Sequence, residues 1–164
     1  MGQIILLLVV SIFGAAYDLK YRKIPNWLTF GTFLLVLIVN VIHFEIGKII
    51  NCVLGFVLGI AILFVPYVLK WMGAGDAKLL GAIGSIVGFK QVLIVFFYSA
   101  IAGLFLAIIW LIFLPERIKF LVTTGQILPS VDNKQKLPYG IAITLGTILY
   151  IILKEKNYFS FLPF

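Results

Sequence analysis

The chain has 164 residues, of which 63% are hydrophobic and only 12% are charged, and its mean hydropathy is +1.18. Soluble domains average about 45–50% apolar and about 25% charged residues, so composition excludes a soluble globular domain. The net charge is +7, but the basic residues are scattered between apolar runs and form no single patch. That pattern favours contact with a lipid bilayer and gives no support for a nucleic-acid partner.

Five uncharged runs are long enough to cross a bilayer as helices, which takes roughly 20 apolar residues. They are Met1–Tyr17, Ile24–Phe44, Ile49–Leu69, Gln91–Pro115 and Leu137–Leu153. A sixth run, Leu79–Phe89, reaches spanning length only if its helix begins near Trp71 and carries Asp76 and Lys78 into the membrane or its edge. The sequence therefore predicts an all-α membrane protein with about six transmembrane helices. Charges within a span are costly and usually mark function.

The distribution of basic residues predicts the orientation. With six crossings and the N-terminus outside, nine Lys and Arg residues fall in cytoplasmic loops and four fall on the outer side, as the positive-inside rule requires. This orientation places Asp18 and Asp76 at the cytoplasmic face and the one histidine, His43, outside. A polar cytoplasmic loop is predicted at about residues 116–136. No linker or repeat divides the chain, so residues 1–164 are predicted to form one membrane domain with a retained first helix.

The first chemical motif lies between the first two apolar runs. Asp18 ends the first run, a basic cluster follows, and Ile24-Pro25-Asn26 opens the second run. Pro25 suits a first helical turn because it has no N–H to leave unpaired and its φ is preset. Asn26 is suited to capping or turning the entry. The motif predicts a rigid re-entry into the membrane with the Asp18 carboxylate at its rim.

The second chemical motif is Gly73-Ala-Gly75-Asp76-Ala-Lys78. Glycines one and three positions before Asp76 allow the backbone to bend and a peptide or helix to approach closely. Backbone groups released by such a bend must face protein or a water-filled cavity. A water-filled cavity beside a carboxylate is what a hydrolase needs.

Two carboxylates are sufficient for peptide hydrolysis without a metal or a covalent intermediate. If they are held close together they share one proton, since two like charges a few Å apart cannot both ionise at low cost. The ionised partner then activates a water and the protonated partner donates to the scissile carbonyl. His43 is on the wrong side to serve a nucleophile, Cys52 stands alone, and no metal-ligand set is present. By elimination, Asp18 and Asp76 form the best-supported catalytic pair, and no cofactor is expected.

Together the two motifs resemble those of the type IV prepilin peptidases, which are membrane aspartyl proteases. The resemblance rests on Asp18 with Ile-Pro-Asn six residues later, on Gly-x-Gly-Asp-x-Lys at Gly73–Lys78, and on Leu137-Pro138-Tyr139-Gly140 before the last helix. It implies that Asp18 and Asp76 are the catalytic dyad and that Gly73, Gly75, Lys78, Pro25 and Asn26 support it. It also implies a prepilin or pilin-like substrate, which loses a short basic leader at the cytoplasmic face of a prokaryotic inner membrane.

The chain is similar to the short, peptidase-only members of that family, because it begins at the first helix and has one cysteine where bifunctional members carry a tetracysteine zinc site. No methyltransferase activity is therefore expected. Three alternatives remain open: an archaeal preflagellin-type or other Gly-x-Gly-Asp protease, a proton-coupled transporter, and a non-catalytic assembly component of a secretion machine. The sequence does not indicate whether the protein forms a homo-oligomer, and it leaves open whether Lys78 tunes Asp76 or supports the bend.

Overall fold

The computed structural model describes residues 2–21, 23–69, 72–113 and 139–155. These ranges hold six α-helices and no strand. The helices are α1 (Gly2–Tyr21), α2 (Asn26–Ile42), α3 (Ile46–Val68), α4 (Ala74–Val87), α5 (Phe89–Phe113) and α6 (Tyr139–Glu155). The predicted all-α fold is confirmed for this part of the chain, with a helix at each of the six predicted apolar runs. The loop predicted at residues 116–136 lies outside the described residues.

Three of the helices, α1, α3 and α5, are long and apolar enough to cross a membrane by length and composition. Helices α2 and α6 are also apolar but have 17 residues each, which at 1.5 Å per residue is about 26 Å. A hydrocarbon core is about 30 Å thick. The helices therefore support a membrane protein, whereas the six crossings, the external N-terminus and the single domain remain predictions.

The shortest helix, α4, lies at the centre of the bundle. It contacts each of the other five described helices, and ten of its 14 residues are buried. Its length is about 21 Å, so it is enclosed by protein along a path shorter than the bilayer core. As the sequence predicted, this helix carries both Asp76 and Lys78. It ends at Val87, and the next residue, Gly88, has a φ of 92°, a positive value that favours glycine.

Glycines allow α4 to lie against α3 at backbone distance. A Cβ on Gly59 would stand 2.6 Å from the Leu80 carbonyl oxygen and 2.8 Å from the Gly81 Cα. A Cβ on Gly55 would overlap the Gly84 carbonyl. In lipid, helices gain little from apolar attraction to each other, and small residues provide close packing in its place. This contact sets the position of α4 against α3, and Asp76 lies in the first turn of α4.

Candidate active site

Asp18 lies in the last turn of α1 and is 8% exposed. Its Oδ2 accepts a hydrogen bond of 2.9 Å from the backbone N–H of Gly140, the second residue of α6. The first four N–H groups of a helix have no partner within the helix, and the helix dipole makes that end favourable for negative charge. The Asp18 carboxylate therefore caps α6, a helix that begins 121 residues later in the chain.

The contact between Asp18 and α6 leaves no room for a side chain at position 140. A Cβ on Gly140 would stand 2.8 Å from the Asp18 Oδ2 and 2.9 Å from its Cβ. One turn further along α6, the Thr144 hydroxyl lies 2.8 Å from the carbonyl oxygen of Ser11 and 2.9 Å from that of Gly140. This hydroxyl bridges α6 and α1 two turns before Asp18, so it fixes the register in which Gly140 meets the carboxylate.

Asp76 occupies the first turn of α4 and is 6% exposed. Its Oδ2 accepts a hydrogen bond of 3.2 Å from the Gly73 N–H, and its own N–H donates to the Gly73 carbonyl at 3.2 Å. The carboxylate therefore folds back on the start of its own helix. Gly73 has an extended backbone, and this conformation turns its N–H toward the carboxylate.

The fold brings the two aspartates together at one end of the bundle, where they are close enough to interact electrostatically. Helices α1, α4 and α6 hold them there. Tyr139, the half-buried first residue of α6, also lies within electrostatic range of Asp76. The site thus holds two buried carboxylates, each hydrogen-bonded to a backbone N–H at a helix start. The Tyr139 phenol lies within electrostatic range of one of them, Asp76.

Gly75 packs against the chain that leads into α2. A Cβ at Gly75 would stand 3.2 Å from both the backbone nitrogen and the Cβ of Ile24, a distance tighter than ordinary contact. Pro25 follows in an extended conformation, and its carbonyl accepts the Leu28 N–H at 3.2 Å. The two sequence motifs are therefore in direct contact through Gly75 and Ile24.

Lys78 provides a second link between the motifs. Its Nζ donates a hydrogen bond of 2.9 Å to Oδ1 of Asn26, the first residue of α2, and lies 5.9 Å from the centre of the Phe30 ring. Of the two roles that the sequence left open for Lys78, this geometry favours support of the backbone over direct tuning of Asp76. The amide oxygen of Asn26, which the sequence suggested for capping or turning the entry, accepts from the lysine.

Sequence reasoning did not assign roles to Gly140, Tyr139, Thr144 and Ile24. The Leu137-Pro138-Tyr139-Gly140 stretch contributes to the family resemblance alone, and its first two residues lie outside the described ranges. That stretch was nevertheless the available signal, since a glycine at the second position of a helix indicates close backbone approach. Within the described residues no group of three His, Cys, Asp or Glu side chains is placed to hold a metal ion, and the expectation of a metal-free site stays a prediction.

Fold and site together define a helical membrane protein with a buried pair of carboxylates. Residues 5–108 match the type IV leader peptidase family. Because this match covers more than half of the sequence, the chain belongs to that family, and the resemblance seen in the motifs is confirmed. Helix α6, with Gly140, lies beyond the matched residues. Comparisons with curated proteins and with solved structures gave no match.

Proposed function

We propose that the protein is a membrane aspartic endopeptidase in which Asp18 and Asp76 cut the short basic leader from prepilins or pilin-like proteins. The reaction takes place at the cytoplasmic face of a prokaryotic inner membrane. The observation that carries the proposal is the pair of buried aspartates within electrostatic range of each other at one end of the bundle, in a chain that belongs to a leader peptidase family. Its substrate and orientation rest on the motif resemblance and on the charge distribution.

In the proposed mechanism the two carboxylates share one proton. The ionised carboxylate removes a proton from a water molecule while the water oxygen attacks the scissile carbonyl carbon. The protonated carboxylate donates its proton to the carbonyl oxygen, which gives a neutral gem-diol. Collapse of the gem-diol breaks the C–N bond: the leaving nitrogen takes the proton from the protonated carboxyl group, while a gem-diol hydroxyl gives its proton to the other carboxylate. The products are an amine and a carboxylic acid, and the pair again holds one proton. The proton belongs to the pair, so neither aspartate is assigned alone as acid or base.

Helix starts give the site its rigidity. The Gly140 and Gly73 N–H groups each hold one carboxylate oxygen, so the two acids do not have to be ordered when substrate arrives. Preorganised groups lower the barrier because little reorganisation remains for the reaction itself. The closeness of Gly75 to Ile24 keeps the entry to α2 beside the pair.

The direct test is cleavage of a prepilin that is co-expressed with the wild-type chain, with Asp18→Asn or with Asp76→Asn. Each Asn variant keeps the size of the side chain but cannot share a proton as a carboxyl pair does. We expect each to lower cleavage at least about a thousandfold, with the protein still present in the membrane. The matched control is Glu45→Gln, which neutralises an acid in an exposed ion pair with Lys48 and should cleave normally.

Cleavage at the wild-type rate by either Asn variant would show that the aspartate pair is not catalytic. The preflagellin-type alternative has the same pair and differs in substrate. The same assay with a preflagellin in place of the prepilin therefore decides between the two substrates.

A further inference from the structure

A cavity of about 280 Å³ lies at the end of the bundle opposite the aspartates. Its walls come from the three helices that hold the carboxylate pair: Gln3 and Leu7 of α1, Ile86 of α4, and Tyr150 and Lys154 of α6, with three further aliphatic side chains. Gln3 and Asp18 are about 22 Å apart along α1 at 1.5 Å per residue. The cavity is therefore separate from the candidate active site, and nothing in the proposed proteolysis uses it.

Tyr150 is the unusual member of the cavity wall. It is 4% exposed, and its hydroxyl is buried without a hydrogen-bond partner among the described residues. Buried hydroxyls nearly always have a partner, because an unmade hydrogen bond destabilises the folded state. A phenylalanine would fill the same space without that cost. Among the described residues, therefore, the Tyr150 hydroxyl lacks the partner that a buried hydroxyl ordinarily has.

The remaining polar groups of the described cavity wall, one positively charged and one neutral, can both donate hydrogen bonds. Lys154 lies in the last turn of α6, with its Nζ 5.6 Å from the centre of the Tyr150 ring, and Gln3 contributes an amide. None of the described residues that line the cavity carries a carboxylate. The rest of the wall is aliphatic, and outward-facing apolar side chains such as Ile5, which is 60% exposed, continue along α1.

We propose that this cavity binds an anionic phospholipid of the surrounding bilayer. The phosphate group lies at Lys154 and Gln3, the Tyr150 hydroxyl donates to an oxygen of the headgroup, and the start of an acyl chain lies against Leu7 and Ile86. An anionic amphiphile fits because the cavity combines donors at helix ends with an apolar wall. The inference is independent of the proposed protease activity.

The first test measures the unfolding temperature of the purified full chain in a non-ionic detergent during titration with dioleoyl phosphatidylglycerol. We expect the lipid to raise the unfolding temperature by mass action. Lys154→Gln should shift the half-saturating lipid concentration upward roughly tenfold, since it removes a charge-assisted hydrogen bond. Lys48→Gln is the matched control, because Lys48 is another exposed lysine, predicted to lie on the same side of the membrane but outside the cavity.

Two further ligands identify the source of the effect. Dioleoyl phosphatidylcholine has the same chains with a neutral headgroup, and glycerol phosphate has the phosphate without chains. Equal stabilisation by phosphatidylcholine, or full stabilisation by glycerol phosphate, would overturn the proposal of an anionic lipid. A phosphatidylglycerol titration that is identical for the wild type and Lys154→Gln would overturn the site.

Tyr150→Phe gives a second test, because it should raise the unfolding temperature without lipid but reduce the stabilisation that lipid adds. Without lipid the variant should unfold at a higher temperature than the wild type, because it no longer buries an unpaired hydroxyl. With saturating phosphatidylglycerol its gain in unfolding temperature should be smaller than that of the wild type, and its half-saturating concentration should rise roughly two- to tenfold. An equal gain and an unchanged half-saturation point would rule out the hydroxyl as a lipid ligand.

Discussion

Single residues place the two aspartates by different routes. Asp76 accepts from Gly73, three residues earlier on the chain, so its position follows from the local turn that opens α4. Asp18 accepts from Gly140, which is 122 residues away, so its position depends on the packing of α1 against α6. A change at Gly140 therefore acts on one carboxylate of the pair without touching the other motif.

Gly140→Ala tests whether that contact is needed for activity. The new Cβ would stand 2.8 Å from the Asp18 Oδ2, so either the carboxylate or α6 must move. We expect kcat for prepilin cleavage to fall about a hundredfold, the loss typical of a displacement of about 1 Å at a reacting group. The control is Gly31→Ala in α2, where an added Cβ meets nothing within 4 Å. Equal rates for both variants would show that Asp18 is not positioned by α6.

A double-mutant cycle tests the link between Lys78 and Asn26. If the 2.9 Å hydrogen bond joins the two motifs, Lys78→Met and Asn26→Ala should each slow cleavage, and the double variant should be little slower than either. We expect a coupling free energy of about 0.5–1 kcal/mol, since the pair is at the surface. Additive effects, or a shifted pH–rate profile for Lys78→Met alone, would instead assign the lysine to Asp76.

The residue-level predictions from sequence succeeded where the contact is local. The glycines of Gly-x-Gly-Asp predict a backbone bend before Asp76, and in the structure an extended Gly73 directly precedes the helix that carries Asp76. No sequence pattern near Asp18 indicates which distant N–H group donates a hydrogen bond to its carboxylate, because every helix start offers unpaired N–H groups. The Lys78–Asn26 bond spans 52 residues and escaped prediction for the same reason.

Between elements, the glycine contact of α3 and α4 determines where the central helix lies. The spacing of Gly55 and Gly59 indicates a close-packing face, but the sequence alone does not say which helix it meets. The structure assigns it to Gly84 and Gly81 of α4. The sequence predicts that α4 exists but not that it lies at the centre of the bundle. Hydropathy measures preference for lipid, whereas this helix is buried in protein.

Gly55→Ala should destabilise the fold through this contact. The added methyl would overlap the Gly84 carbonyl and stand 3.0 Å from the Gly88 carbonyl carbon, and backbone cannot turn aside as a side chain can. We expect the free energy of unfolding to fall by about 1–3 kcal/mol, measured by denaturant titration in detergent micelles. Gly47→Ala in the same helix meets nothing within 4 Å and is the control. Similar losses for both would mean that the contact does not limit stability.

For the whole molecule, the prediction to test is the orientation. In a Cys52→Ser background, single cysteines replace Phe44, an 88% exposed residue between α2 and α3, or Lys23, which precedes α2. The basic-residue distribution places position 44 outside and position 23 inside. A membrane-impermeant thiol reagent should therefore label position 44 in intact cells and position 23 only after permeabilisation. The reverse pattern would put the aspartate pair on the outer face.

The hydrogen bond from Gly140 to Asp18 also has a consequence for the timing of biogenesis. Ribosomes add about 5–20 residues per second, so Gly140 is synthesised roughly 6–24 s after Asp18, given the 122 residues between them. From the synthesis of Asp76 onward the nascent chain contains both aspartates, but until α6 is made Asp18 lacks the helix that holds its carboxylate. The hydrogen bond can form only after α6 has been made and has packed against α1, so translation itself delays completion of the candidate site.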